Sequence, residues 1–199
     1  MIIIGLGNPG VEYENTRHNT GRIIVAAFAK KIDAEFEFDK KTNADIAQGN
    51  PLAGGGKTKV TLVLPDTFMN KSGAAVGKFV KSIKAAKNLL VVHDDLDLPL
   101  GRMKISFNKS SGGHKGVESV MRAVKTEAFW RLRVGISSAT ASGKIKKPSG
   151  DALVTDFIVA EWKPKEEDEF KKITKKAVEV LTLATTDGPE KAMMVANQN

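Results

Sequence analysis

The chain opens on the apolar run MIII and then breaks into GLGNPGVEYENTRHNTG, residues 5–21. The run predicts a buried strand over 2–7, with the glycines giving a tight exit toward Asn8. Ile24, Ala27 and Phe28 then recur at helical spacing, so 21–31 reads as a helix with Thr20 as its cap. A weaker strand is expected over Ala44–Gln48, and 49–57 is a glycine-rich turn or loop. Lys59–Leu64 predicts the next strand. Asn70 and Ser72 stand near the start of a helix that sets Val76, Phe79, Val80 and Ile83 on one side.

Asn88–Val92 reads as an apolar strand feeding straight into HDDLDLPLG, and Lys104–Phe107 as another strand followed by the loop SSGGHKG. A helix over 117–125 leads to a strand over Arg131–Ile136. The segment 137–150, SSATASGKIKKPSG, is polar and locally basic and is expected to be an exposed, flexible loop. A long helix over 165–184 turns Phe170, Ile173, Ala177, Val180 and Leu181 inward. It also sets Glu167 against Lys171 and Asp168 against Lys172 outside. Thr186–Gly188 interrupts it, and 189–196 forms a short last helix. Strands alternating with helices, without repeats or a composition break, predict a single α/β domain of three layers over 1–199. Its central sheet is expected to be mixed and mostly parallel.

Composition narrows the chemistry. With 41% hydrophobic residues the chain folds around a core, yet no window approaches the roughly 18 consecutive apolar residues of a membrane span. MIII is too short for a signal peptide and lacks a basic flank. The absence of cysteine excludes disulfides, thiolate catalysis and cysteine-ligated zinc, and fits a cytoplasmic protein. The formal charge of +8 favours an anionic partner such as nucleic acid, although a merely basic soluble protein fits as well.

Gly5, Gly7 and Gly10 match the G-x-G-x-x-G spacing of a dinucleotide loop. Pro9 removes a donor from that loop, however, and the helix begins about ten residues late for a phosphate at its N-terminus. The glycines of 49–57 lack the order of a phosphate-binding P-loop. The three histidines, His18, His93 and His114, lie in polar turns rather than on an apolar helix face. A carboxylate from Asp94 or Asp95 could fix the tautomer of an imidazole and strengthen its other nitrogen as a base. Structural histidines, Asx turns and simple caps remain the plainer alternatives, and no histidine spacing marks a metal site. Asn8 and Asn70 are of a type that orients an uncharged acyl group, or only caps a helix. No serine sits in a nucleophile elbow, which leaves water as the attacking group.

Taken together, GLGNPG with TRHN at 5–21, P-x-TFMN-x-SG at 65–73, VVHDDLDLPLG at 91–101 and GGHKG at 112–116 closely resemble bacterial-type peptidyl-tRNA hydrolases. RLRVGI at 131–136 and TTDG at 185–188 agree, so the resemblance spans essentially the whole chain. It implies a cytoplasmic, monomeric enzyme that cleaves the ester between a peptide and the 3′ ribose of tRNA, with no metal or other cofactor. The substrate is then peptidyl-tRNA, the released partner is tRNA, and no membrane is involved. By the same resemblance His18 is the catalytic base, Asp94 orients it, and Asn8 and Asn70, beside Met69, position the substrate. Tyr13 lies near the terminal nucleotides. His114 and Lys115 belong to a substrate-positioning loop, where Lys115 replaces the usual asparagine and can donate but not accept. Lys104, Lys109, Arg131 and Arg133 are the expected tRNA contacts, with Lys144, Lys146 and Lys147 as a further basic patch. The alternative is a noncatalytic RNA-binding relative. An unrelated hydrolase or phosphorylase acting on a small substrate explains neither the charge nor the motifs.

Overall fold

The computed structural model describes residues 1–52, 58–140 and 142–198. In chain order the elements are β1 (Ile2–Gly5), α1 (Thr20–Lys31), β2 (Glu37–Asp39), β3 (Ala44–Gly49), β4 (Val60–Pro65), α2 (Ser72–Phe79), α3 (Ile83–Ala86) and β5 (Leu89–Pro99). They continue with β6 (Met103–Phe107), α4 (Lys115–Val124), β7 (Trp130–Ala139), β8 (Ile145–Lys146), α5 (Asp151–Val159), α6 (Pro164–Thr186) and α7 (Pro189–Asn197). Short 3-10 turns cover Val11–Tyr13, Arg17–Asn19 and Met69–Lys71. No helix among the described residues is long and apolar enough to cross a membrane.

The sheet runs β2-β3-β4-β1-β5-β7-β6, with β8 added to β7. β4, β1, β5 and β7 are mutually parallel, and the outer pairings are antiparallel. Side chains of the central strands alternate between two cores, as a period of two requires. Ile3, Leu62, Leu90 and Leu132 join Ile24, Phe28, Phe170 and Leu181 under α1, α6 and α7. Ile4, Val63 and Val91 join Val76, Val117 and Val120 under α2 and α4. The expected α/β domain with a mixed sheet between helix layers is therefore what forms.

The site depends on where the helices leave the sheet. The helix after β1 packs on one face, while α2, after the neighbouring β4, and α4, after β6, pack on the other. A crevice opens at the carboxyl ends of strands whose connections part in this way. Backbone contact sharpens it: a Cβ on Gly21 would lie 2.2 Å from the Val92 carbonyl oxygen, so only glycine lets α1 start directly on the sheet.

Several local expectations change. Thr20 is the first residue of α1 rather than its cap, and its hydroxyl donates to the Arg17 carbonyl at 2.7 Å. The helix expected to reach Ile83 ends at Phe79, because Val80 turns extended to keep its side chain in the core, and Ile83 is left 57% exposed. His93, Asp94 and Asp95 lie inside a strand that runs on to Pro99, so the buried His93 is not a turn residue. Part of 137–150 is strand: Ser137–Ala139 extend β7, and Ser138 and Ala139 pair with Lys146 and Ile145. Within 49–57 and 137–150, residues 53–57 and 141 lie outside the described residues. Lys171 pairs with Glu167 at 3.5 Å as expected, but Lys172 pairs with Glu169, at 3.5 Å, rather than Asp168. β2, α3, β8 and α5 had no predicted counterpart.

α2 and α4 press together at Gly73, where a Cβ would stand 2.0 Å from the Ser119 carbonyl oxygen. Gly77, one turn on, meets Ala123 at an ordinary 3.5 Å. We expect Gly73→Ala to cost about 1–3 kcal/mol by overpacking. Gly77→Ala should be neutral or stabilise by up to about 1 kcal/mol through helix propensity. Urea unfolding of the two variants checks the contrast.

Candidate active site

Three segments converge at the carboxyl edge of the sheet. The Arg17–Asn19 turn supplies His18, β5 supplies Asp94, and the start of α4 supplies His114. His18 Nδ1 lies 3.0 Å from both carboxylate oxygens of Asp94, and His114 Nε2 lies 2.9 Å from Oδ1. His114 Nδ1 accepts from the backbone amides of Gly116 and Val117 at 3.1 and 3.3 Å, which caps α4. That nitrogen must therefore carry the lone pair, and the ring proton sits on Nε2 and points at Asp94. By the same logic His18 donates from Nδ1 to Asp94 and keeps the lone pair of Nε2 for chemistry.

Asp94 is 2% exposed. Burial alone would raise its carboxyl, but His18 and His114, by charge and by hydrogen bond, outweigh burial and hold it well below the usual carboxylate range. His93 lies on the closed side of the cluster, its ring 4.7 Å from that of His114. Burial first, then His114 and Arg131, push it well below the ordinary histidine value, and its Nδ1 donates to the Asp94 carbonyl at 2.7 Å. The ligating atoms of His18, Asp94 and His114 lie within 4.8 Å of one another. A cation there would have to break the α4 cap or the bonds to Asp94.

Asn8 and Asn19 clamp each other. Asn8 N donates to Asn19 Oδ1 at 2.8 Å, and Asn19 Nδ2 donates to the Asn8 carbonyl at 2.9 Å. The Met69 amide donates to Asn8 Oδ1 at 2.8 Å, which fixes the orientation of the amide. Asn8 Nδ2 is then a donor without a protein partner among the described residues, on a side chain that lines a cleft of about 670 Å³. His18, Met69, Asn70, Asp94, His114 and Lys115 line the same cleft, so it gathers all the expected catalytic and substrate-positioning residues. Asn70 and Lys115 are exposed at its rim.

Tyr13 lies outside the cleft and meets the cleft residue Phe68 edge-on, ring centroids 6.5 Å apart. Lys104, Lys109, Arg131 and Arg133 line a second groove of about 580 Å³, which shares Asp97, Ser111 and Gly112 with the first. Lys104, Arg131 and Arg133 alternate along β6 and β7 with side chains of the α6–α7 core, Lys109 follows β6, and Met193 and Asn197 of α7 also line the groove. Arg133 Nε donates to Asp95 Oδ2 at 2.7 Å. Arg131 is 2% exposed, and burial first, then Arg133, lowers its pKa. Of the other basic patch, Lys147 reaches the cleft rim and pairs with Asp97.

Two features had not been anticipated. Asn19, the last residue of TRHN, orients the backbone of Asn8. The far wall of the cleft is α5, through Asp151, Val154, Thr155, Ile158 and Val159. The spacing of Leu153, Val154, Phe157 and Ile158 was the available signal, although α5 buries no residue fully.

An imidazole held on a buried carboxylate, beside a fixed amide donor at the edge of an α/β sheet, is an arrangement suited to a hydrolytic enzyme. Comparison with known proteins narrows the class. The family profile described as peptidyl-tRNA hydrolase matches residues 2–199. The peptidyl-tRNA hydrolase of Aquifex aeolicus is 39% identical over 198 residues, covering 99% of this chain and 96% of its own. That of Herpetosiphon aurantiacus is 40% identical over 199 residues, covering 99% and 90%. The crystal structure of the Acinetobacter baumannii enzyme superposes with a TM-score of 0.86 at 30% identity, over 98% of this chain and 93% of that one. The chain belongs to the peptidyl-tRNA hydrolase family, and it is a hydrolase.

Asp94→Asn should leave the fold and lower the rate of the chemical step by roughly 10²–10⁴, because the base loses its orienting ion. Single-turnover cleavage measures this. The folded carboxyl lies below its unfolded value, so its stabilising contribution is intact above about pH 3.9 and is lost as pH falls below that. Urea titrations below pH 4 should give the parent about one proton more dependence on pH than Asp94→Asn.

Proposed function

We propose that the chain hydrolyses the ester joining the peptide to the 3′ ribose of peptidyl-tRNA, releasing peptide and reusable tRNA. The observation that carries this reading is the His18–Asp94 pair beside the free amide donor of Asn8, within a chain that matches this family from end to end. Water attacks the ester carbonyl carbon while His18 Nε2 takes its proton, and Asp94 stabilises the resulting imidazolium. The tetrahedral oxyanion accepts a hydrogen bond from Asn8 Nδ2, whose direction is set before substrate arrives by the Met69 amide on Oδ1. Collapse expels the ribose oxygen, which takes the proton back from His18. Every proton is accounted for by one imidazole, and no step calls for a metal.

The two ends of the substrate have different needs. Met69, Asn70, His114 and Lys115 position the peptide and ester in the main cleft. Lys115 donates to a peptide carbonyl where an asparagine would both donate and accept. Lys104, Lys109, Arg131 and Arg133 hold tRNA phosphates in the adjoining groove, and Tyr13 offers a ring beside Phe68 for stacking of terminal bases. A polyanionic leaving group also accounts for the +8 charge. We further propose that residues 1–199 act as one cytoplasmic, monomeric domain.

Multiple-turnover release of an N-blocked peptide from peptidyl-tRNA, with EDTA present, tests the reading. The parent should cleave, while His18→Ala should keep tRNA affinity and lose most turnover, at least ~10²-fold. Equal rates for the two proteins would sink the assignment of the base. A folded parent that binds tRNA without cleaving would establish the noncatalytic alternative. Asn8→Asp retains an acceptor for the Met69 amide but removes the donor, so kcat should fall about 10²–10³ with KM little changed. A loss confined to KM would instead assign Asn8 to ground-state binding.

A further inference from the structure

Arg17, the residue before His18, is 2% exposed, and no step above uses it. Its Nη1 donates to the carbonyls of Phe157, Ala160 and Glu161 at 3.4, 3.1 and 2.8 Å, and its Nη2 meets Glu166 Oε2 at 2.6 Å. The guanidinium carbon stands 4.6 Å from the ring centroid of Phe157 and 5.2 Å from that of Trp162. The first three acceptors belong to the end of α5 and the two residues after it, where a helix leaves carbonyls unpaired and favours a cation. Glu166 lies in the first turn of α6 and also accepts from the Lys163 amide at 2.9 Å. One guanidinium therefore ties the end of one helix to the start of the next. The main chain repeats the tie: Arg17 N donates to the Ala160 carbonyl at 3.2 Å, and Thr16 bridges Glu161.

The other elements hold α5 only lightly. Phe157 and Ile158 are partly buried against the core. No residue of the helix is buried fully and Leu153 is 61% exposed, yet α5 forms the far wall of the cleft that His18 faces. With so small a packed face, the ties at its end matter for its placement. Arg17, which makes those ties, is separated from His18 by a single peptide bond. We propose that Arg17 is a positioning residue for the reaction, fixing the α5 wall to the His18 turn so that the peptide is held in register with the base. This rests on the reading of the cleft as the peptide site. Lysine cannot take the role, since a single ammonium cannot lie flat against two rings while serving acceptors spread over both helix ends.

The test compares two substrates on the same tRNA, one carrying a single N-acetylated residue and one an N-blocked tetrapeptide that reaches α5. For Arg17→Lys, well below its melting temperature, KM for the tetrapeptide should rise about tenfold more than for the short substrate, with kcat on the short substrate within about twofold. Phe157→Leu, which leaves the His18 turn untouched, should move the same ratio in the same direction. In a Trp130→Phe background Trp162 is the sole indole, and its emission should shift to the red when Arg17 is replaced, because the ring loses its cover. A lower melting temperature with an unchanged KM ratio would make Arg17 a stabilising strut only and overturn the proposal. Equal kcat losses on both substrates with KM unchanged would overturn it too, by assigning Arg17 to the His18 turn alone. If the parent cleaved neither substrate, the reaction assigned above would fall. The Trp162 emission would then decide the tie by itself, an unchanged spectrum in Arg17→Lys refuting it.

Discussion

The active site is organised around one buried anion. Asp94 is a carboxylate with almost no access to water, a costly arrangement unless its oxygens are met by donors. Two imidazoles meet them, His18 from the turn before α1 and His114 from the start of α4. These segments pack on opposite faces of the sheet, so the carboxylate joins both helix layers to β5 at the point where the chemistry occurs. The His114 ring is spoken for at both nitrogens, by Asp94 and by the α4 amides. His93 engages only Nδ1, and its other nitrogen is buried without a partner among the described residues. His18 alone of the three turns an unengaged nitrogen toward the cleft, which separates base from support.

The cluster can form only because the backbones come close. Gly21 lets α1 begin in contact with β5, and this brings the His18 turn down onto Asp94. The glycines of the opening segment thus serve close packing rather than a nucleotide phosphate: a Cβ at Gly5 would stand 2.6 Å from the Gly21 carbonyl oxygen, and one at Gly7 would strike Arg22. Asn19 and Asn8 then knit the loop together, and the Met69 amide turns the Asn8 side chain so that its donor is free. Orientation of that donor is built into the resting protein, so in the proposed reaction it would need no reorganisation as negative charge develops.

Strand alternation divides charge between the two grooves. β7 turns Leu132 and Val134 into the core under α6 and Arg131 and Arg133 the other way, onto a face that neither large core covers. This sets a basic groove beside a cleft in which the carboxylates Asp94, Asp95 and Asp97 are each paired, by His18 and His114, by Arg133 and by Lys147.

Much of this was legible in the sequence. Apolar runs of four to six residues, bounded by glycine and polar turns, marked the central strands because those strands are buried on both faces. The long motifs marked the family and the residues that gather at the sheet's edge. Other features were not legible, and the reasons are physical. β2 buries no side chain and α3 buries only Ala86, so neither imposes a clear hydrophobic period. The helical spacing of α5 directly follows the polar, glycine-containing stretch 137–150, and the helix buries no residue fully. The break after Phe79 follows from the place the core reserves for Val80, which no local propensity encodes. The sequence alone determined which side chains are available for chemistry: one histidine base with a carboxylate partner, no thiol, and an excess of cations. Only the tertiary structure decided which His18 nitrogen is held by Asp94, which Asn8 atom is held by the Met69 amide and what holds the far wall of the cleft. Each of those depends on a hydrogen bond between residues distant in the chain, and such bonds exist only once the sheet has brought their segments together.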